Sequence, residues 1–266
     1  MIENHFIQKT QDLSKKISID FYKKFFVFNE LSSTNTMAKK LAKDGEPEGT
    51  VVISRIQKQG RGRFDRVWKS PEGGLYLSII LKPDIQLRKT TLLPFVAALA
   101  VSETVLSYGI KCAIKWPNDI RVDKKKLAGI LIESDPNKDD MNFLTIGIGI
   151  NLNTDLKIFS KDIKKPATSL SNEMKSNLDY HNFLKQLLIK FDKFYSLFLN
   201  KKYKLIISKW KSLSDTLDRR VKIKTPKGLI IGKAYDVDDS GFLIIKTDNK
   251  EYEKIMSGDC LYFDEL

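Results

Sequence analysis

The hydrophobic pattern changes character late in this chain, and the change divides it. From Tyr180 onward, Phe183, Leu184, Leu187, Leu188, Phe191, Phe194, Tyr195 and Phe198 recur at helical spacing. Such a stripe packs a helix against a core and is not a cofactor box. A second helix is expected around Tyr203 to Leu213. From Arg220 to Phe263 the pattern becomes short alternating runs, with turns at Pro226-Lys227-Gly228, Asp239-Ser240-Gly241 and Asp248-Asn249. This is the pattern of a small antiparallel barrel, so the boundary between the two units is placed near Leu217.

Upstream, strands and helices mix. Phe25 to Leu31 and the β-branched run Thr50 to Ile56 read as strands, separated by a helix from Thr34 to Lys43 with a cap near Ser32, Ser33 or Thr34. A glycine- and charge-rich loop follows, bracketed by Gly60, Gly62, Gly73 and Gly74. Leu75 to Leu81 is a strand. Leu92 to Leu106 is apolar around most of its circumference and reads as a buried helix, with Pro94 tolerated in its first turn. Short strands are expected at Ala113–Lys115, Asp119–Val122, Lys126–Glu133 and Phe143–Asn151. Residues 1–24 are polar and lysine-rich, either a short helix or a mobile segment, and too few for a winged or helix-turn-helix DNA reader. The organisation expected is an extension over 1–24, a main domain over 25–217 and a small barrel over 218–266.

Several function classes lack material. Only His5 and His181 are histidines, which leaves little for a zinc site or a histidine-based triad. Cys112 and Cys260 are far apart, with no CxxC pair, which fits a reducing cytoplasm. No apolar signal core opens the chain, and the longest apolar stretch, Leu92 to Val101, reads as too short to span a membrane. The net charge is +13, but only eight of the 46 basic residues are arginine and the lysines are spread along the chain. This reads as a solvated lysine-biased surface rather than a dedicated nucleic-acid face.

Four segments carry chemistry-bearing residues. In Gln57-Lys58-Gln59-Gly60-Arg61-Gly62-Arg63-Phe64, glycines alternate with arginines. Glycines let backbone N–H groups approach an anion, and arginines add forked donors. The segment is either an anion-closing loop or a solvated basic turn, and it is neither a P-loop nor a dinucleotide fingerprint. Lys115-Trp116-Pro117-Asn118-Asp119 makes a stiff turn at a strand end, which leaves the tryptophan unexplained. In Lys126-Leu127-Ala128-Gly129-Ile130-Leu131-Ile132-Glu133, Gly129 invites close approach of a ligand or a backbone, and Lys126 is either functional or a solvated charge at a strand start. In Ile146-Gly147-Ile148-Gly149-Ile150-Asn151, alternating glycines leave one strand face bare, for a flat ligand or a tightly packed neighbour.

Taken together, Ser33-Thr34-Asn35, GRGR, KWPND, KLAGI and GIGIN, in this order and spacing, resemble the biotin–protein ligases over about residues 25–263, with Gly258-Asp259 before the last strand of the barrel. The resemblance implies an α+β fold: a mixed-sheet catalytic domain of the class II aminoacyl-tRNA synthetase/biotin ligase type, followed by a small SH3-like β-barrel. It implies that biotin and ATP, with Mg²⁺, give biotinyl-5′-adenylate, and that the biotinyl group then passes to a lysine of a biotin carboxyl carrier domain. It places biotin against Ser33, Thr34, Asn35, Gln57, Gly60, Arg61, Gly62, Arg63, Lys126, Gly129 and Gly147, with Gly149 in the same slot. It places ATP against Arg63, Arg66, Trp68, Asn118, Lys126 and Asn151. Lys126, Arg61 and Asp119 become the catalytic set, with Asp119 either a Mg²⁺ ligand or the proton acceptor. The Gly/Arg loop becomes a mobile lid over the adenylate. Some relatives also carry a DNA-reading domain; residues 1–24 supply none, so no operator-specific DNA binding and no repressor activity are expected. No membrane partner is expected, and homodimers occur in the family. A lipoate–protein ligase and a basic nucleic-acid-binding protein are the competing readings.

Overall fold

A computed structural model describes residues 2–134, 143–159, 166–226 and 228–265. Lys227, inside the first predicted turn of the barrel, lies outside the described residues. The main sheet has seven strands: β1 (Lys24–Leu31), β2 (Thr50–Gln57), β3 (Leu75–Leu81), β4 (Ala113–Lys115), β5 (Asp119–Val122), β6 (Lys125–Ser134) and β7 (Leu144–Ile150). Their spatial order is β1-β2-β3-β7-β6-β5-β4. β1 and β2 run parallel, and every other neighbouring pair is antiparallel. The parallel pair needs a crossover, and α2 (Thr34–Lys43) supplies it.

The sheet is covered unequally. On one face lie α3 (Leu93–Ser107), α5 (Tyr180–Leu199) and α6 (Tyr203–Leu213), with the short α4 (Leu170–Met174) before them. α3 is apolar on all sides because it is enclosed on all sides, and Phe95 stacks on Trp210 with ring centroids 4.3 Å apart. This corrects the expectation drawn from Leu92–Val101: the helical segment Arg88–Ser107 has the length and composition to cross a membrane, but most of it is buried within the fold. On the opposite face stands α2 alone, packing Ala38 and Ala42 on Val52 and Ile80. The face beside α2 is therefore left open over β6 and β7. Ahead of β1, α1 (Ile2–Lys15) docks on the start of α5, with Phe6 edge-on to Tyr180 and Thr10 Oγ1 3.2 Å from His181 Nε2.

The C-terminal unit is a five-stranded antiparallel sheet of β8 (Arg220–Thr225), β9 (Gly228–Val237), β10 (Leu243–Thr247), β11 (Tyr252–Ile255) and β12 (Asp259–Tyr262), ordered β11-β10-β9-β8-β12. Its inner side chains Val221, Ile223, Leu243, Ile245 and Tyr262 join the same hydrophobic cluster as α3 and the main sheet. Trp116 sits at this junction. Its backbone N–H donates to Thr216 Oγ1 at 2.8 Å, and its indole N–H donates to the Gly241 carbonyl at 3.2 Å. The residue that the turn chemistry left unexplained joins the two units. Beside it, Arg121 bridges Asp215 at 3.2 Å and Glu265 at 2.5 Å. Burial works against the Arg121 charge, and the two carboxylates more than offset it, so its pKa is raised.

Candidate active site

The open face beside α2 forms a cleft of about 220 Å³. Its inner end is built at the start of α2. Ser33 is the N-cap residue in extended conformation, and its side chain makes no capping bond. The backbone N–H and hydroxyl of Thr34 both donate to Gln57 Oε1, at 2.8 and 3.1 Å, and the Gln57 amide donates to Ser70 Oγ at 2.9 Å. Ser78 donates to the Asn35 side-chain carbonyl at 2.5 Å, and the Asn35 amide donates to Glu133 at 2.8 Å. Ser33, Thr34 and Asn35 are each at most 4% exposed. A buried network this well satisfied holds donors and acceptors in fixed directions, as recognition of a small polar head group requires.

Gly147 exists for this network, since a Cβ there would stand 2.4 Å from Asn35 Oδ1. Gly149 does the same for Trp68: a Cβ would stand 2.6 Å from the indole nitrogen. The bare strand face thus receives two side chains of the protein itself. The Trp68 indole N–H is buried there with no hydrogen-bond partner. Gly149→Ala is expected to expel the indole, raising acrylamide quenching of Trp68 fluorescence, measured in a Trp116→Phe, Trp210→Phe background. Unchanged quenching would place the indole elsewhere.

The Gly/Arg segment is a hairpin. Arg61 pairs with Val67, Gly62 N–H donates to the Arg66 carbonyl at 2.6 Å, and Trp68 N–H donates to Gly60 O at 2.8 Å. Phe64 and Asp65 at its tip have φ of 56° and 55°. Two left-handed residues in succession suit the right-handed strand twist, but they are unfavourable for side chains other than Asn, Asp or Gly. Arginines pin the hairpin. Arg61 meets Glu133 at 2.8 Å; Arg63 donates to Asn118 Oδ1 at 3.3 Å and Ser257 Oγ at 2.8 Å; Arg66 meets Asp259 at 2.6 Å. Burial pushes the Arg63 pKa down, while Asp119 and Asp259 oppose the shift. The Asp259 bond raises that of Arg66. The Arg66–Asp259 pair is half exposed on the arginine side, so Asp259→Asn should cost less than about 1 kcal/mol of stability. Limited trypsinolysis at Arg61–Arg66 should nevertheless accelerate, because a tie from the hairpin to the C-terminal unit is gone. An unchanged cleavage rate would show that the pair does not restrain the hairpin.

At the outer end, Lys126 Nζ lies 2.7 Å from Asp119 Oδ1 and 5.1 Å from the centre of the Trp68 ring. Among the described residues no three His, Cys, Asp or Glu side chains converge on a metal position. Asp119 can lend a carboxylate to a Mg²⁺ that brings its own phosphate ligands, the usual arrangement for that ion.

The cleft brings together Ser33, Thr34, Asn35, Gln57, Arg61, Gly62, Arg63, Arg66, Trp68, Asn118, Asp119, Lys126, Gly129, Gly147 and Gly149. Two expected residues are not brought to it. Gly60 is buried, with its carbonyl held by Trp68, and Asn151 is buried with its amide donating to the Thr168 carbonyl at 3.0 Å. Both shape neighbouring backbone instead. Sequence reasoning missed Glu133, which gathers Asn35, Lys39 and Arg61, and missed Lys115 and Ser257. The one available signal was a carboxylate ending an otherwise apolar strand.

A cleft on a mixed sheet lined by Arg61, Arg63, Arg66, Lys115 and Lys126 and bordered by a basic hairpin is built to receive anionic ligands. The sequence matches the biotin/lipoate A/B protein ligase family over residues 27–151 and the biotin protein ligase C-terminal domain over 216–261. It is 39% identical to the bifunctional ligase/repressor BirA of Bacillus subtilis over 231 residues, 86% of this chain and 71% of that one. It is 31% identical to the biotin–[acetyl-CoA-carboxylase] ligase of Paracoccus denitrificans, over 80% of this chain and 90% of that one. The biotin protein ligase from Aquifex aeolicus, solved in complex with biotin and ATP, superposes with a TM-score of 0.77 at 31% identity, covering 91% of this chain and 99% of that one. The chain belongs to the biotin protein ligase family.

Proposed function

We propose that this chain activates biotin with ATP and transfers it to a lysine of a biotin carboxyl carrier domain in the cytoplasm. The observation that carries this reading is the Lys126–Asp119 pair at 2.7 Å, set at the outer end of a cleft whose inner end is the Thr34–Gln57–Asn35 network. In the first step a biotin carboxylate oxygen attacks the α-phosphorus of ATP, forming the acyl–phosphate bond and releasing pyrophosphate. Two anions must meet there, and the Lys126 ammonium offsets their repulsion. Arg63 and Arg66 add fixed positive charge for the leaving phosphates. Trp68 presents an aromatic face beside Lys126 for the adenine. In the second step the acceptor amine attacks the acyl carbon, the acyl–phosphate bond breaks, and AMP leaves. The amine proton needs a base, and the Asp119 carboxylate stands where it can take it once Lys126 engages the ligand. With Mg²⁺ bound, Asp119 would instead hold the ion that screens the phosphates.

Residues 2–15 form one helix docked on the start of α5. Calorimetry with biotin, followed by mass spectrometry for retained biotinyl-adenylate and for labelling of a carrier domain, tests the proposal. Heat from lipoate but none from biotin would overturn it in favour of a lipoate ligase.

A further inference from the structure

The outward face of the C-terminal sheet carries a pattern the ligase chemistry does not use. Val221, Ile223, Ala234, Leu243, Ile245 and Tyr262 are buried, so their strand neighbours point the other way. Register sets one row across this outer face: Tyr252 lies opposite Lys246, Lys246 opposite Lys233, and Lys233 opposite Arg220. The Lys246 ammonium lies 5.7 Å from the centre of the Tyr252 ring, and at the other end the Arg220 guanidinium lies 5.4 Å from that of Phe263. The row therefore reads aromatic, three cations, aromatic.

Like charges directly opposite one another destabilise a sheet, so stability alone does not account for the arrangement. Asp248 meets Arg220 and Asp218 meets Lys233, both at 2.7 Å, but these carboxylate side chains are 62% and 83% exposed, and such pairs are weak in water. Lys222 and Lys224 extend the charge along the same face of β8. The aromatic rings are open to solvent as well. Tyr235 and Tyr252 are 53% and 54% exposed and meet edge-on at 5.1 Å.

We infer that this face binds single-stranded nucleic acid without sequence preference. Cations follow the phosphates while exposed rings stack on bases, the combination that sequence-tolerant binders use. An acidic protein would engage the lysines and leave the rings idle. None of Arg220, Lys233, Lys246, Tyr235 or Tyr252 lines the catalytic cleft, so the two activities are separable, and this one stands whether or not the ligase reading does.

Fluorescence anisotropy of a labelled oligothymidylate with the full chain tests the inference. A Kd in the micromolar range is expected at about 50 mM salt. Neutralising about three phosphates should weaken binding roughly twentyfold at about 200 mM. Tyr235→Ser with Tyr252→Ser should weaken it about fivefold or more while keeping the salt dependence. Lys222→Gln with Lys246→Gln should flatten the salt dependence. Adenylate formation and melting temperature should be unchanged in both; if the tyrosine pair fails to fold, Tyr252→Ser alone carries the same expectation. No binding at low salt, binding that the tyrosine variants retain in full, or equal competition by polyglutamate or anionic vesicles would each overturn it.

Discussion

Replacing Lys126 with alanine should slow biotinyl-adenylate formation by about 100- to 1000-fold, read as ATP-dependent pyrophosphate release with biotin present. The magnitude follows from the place of the side chain. Lys126 lines the cleft, its side chain is 34% exposed, and that of its carboxylate partner Asp119 is 27% exposed. A cation so placed is shielded from bulk water without being buried, so it acts on charge that develops beside it more strongly than a solvated lysine would. Part of the loss should appear as weaker biotin binding, because the carboxylate is already charged in the ground state; the larger part should appear in the rate, because the approach of the second anion occurs only on the way to the transition state. Arginine should not restore the rate, since its planar fork has a different shape and hydration from a compact ammonium. Stability should change little, because Asp119 retains access to water. A Lys126→Ala protein that forms adenylate at the wild-type rate would remove Lys126 from the reacting centre and leave Arg63 and Arg66 as the main counter-charge.

The fold was largely legible in the sequence because its elements depend on local periodicity. The Phe183–Phe198 stripe buries one side of α5, and the β-branched run of β2 is buried where it crosses the sheet. The site was legible for a different reason. Nothing in the spacing of Thr34, Gln57, Lys126 and Gly147 places them together; only the joint order of the segments did. What stayed hidden depends on tertiary closure. Glu133 reads as a solvated strand end until Arg61, Lys39 and Asn35 arrive from two other elements. Ser257 and Asp259 belong to the small unit, yet they hold the hairpin of the large one. Gly60 and Asn151 stand within motif segments, but their polar groups bond to Trp68 and Thr168, and the motif pattern alone does not say which of its members face the cleft.

Trp116→Ala should destabilise the protein by about 3–5 kcal/mol and lower the melting temperature by on the order of 10 °C, measured by calorimetry and by urea unfolding. The indole is 2% exposed, and it stands where the main sheet, α3 and the Asp239–Gly241 turn of the C-terminal unit meet. Removing it opens a cavity between two units that share one core, so collapse of either unit alone cannot fill it. It also leaves the Gly241 carbonyl without the indole donor. Trp116→Phe separates the two contributions: most apolar contact is kept, and the missing hydrogen bond alone should cost about 1 kcal/mol. The loss should also reach the chemistry. Lys115 and Asn118 flank Trp116 in the cleft wall, and Arg63 ties Asn118 to Ser257 across the junction. Once the junction loosens, the hairpin is held mainly from one side, so adenylate should form more slowly and be released to water sooner. Amide exchange should quicken in β10 and around Gly241 before it does in β3 or β7. If the melting temperature stays within a degree or so of wild type, or if exchange rises evenly over both sheets, Trp116 does not join the units, and the place of the tryptophan in Lys115-Trp116-Pro117-Asn118-Asp119 needs another explanation.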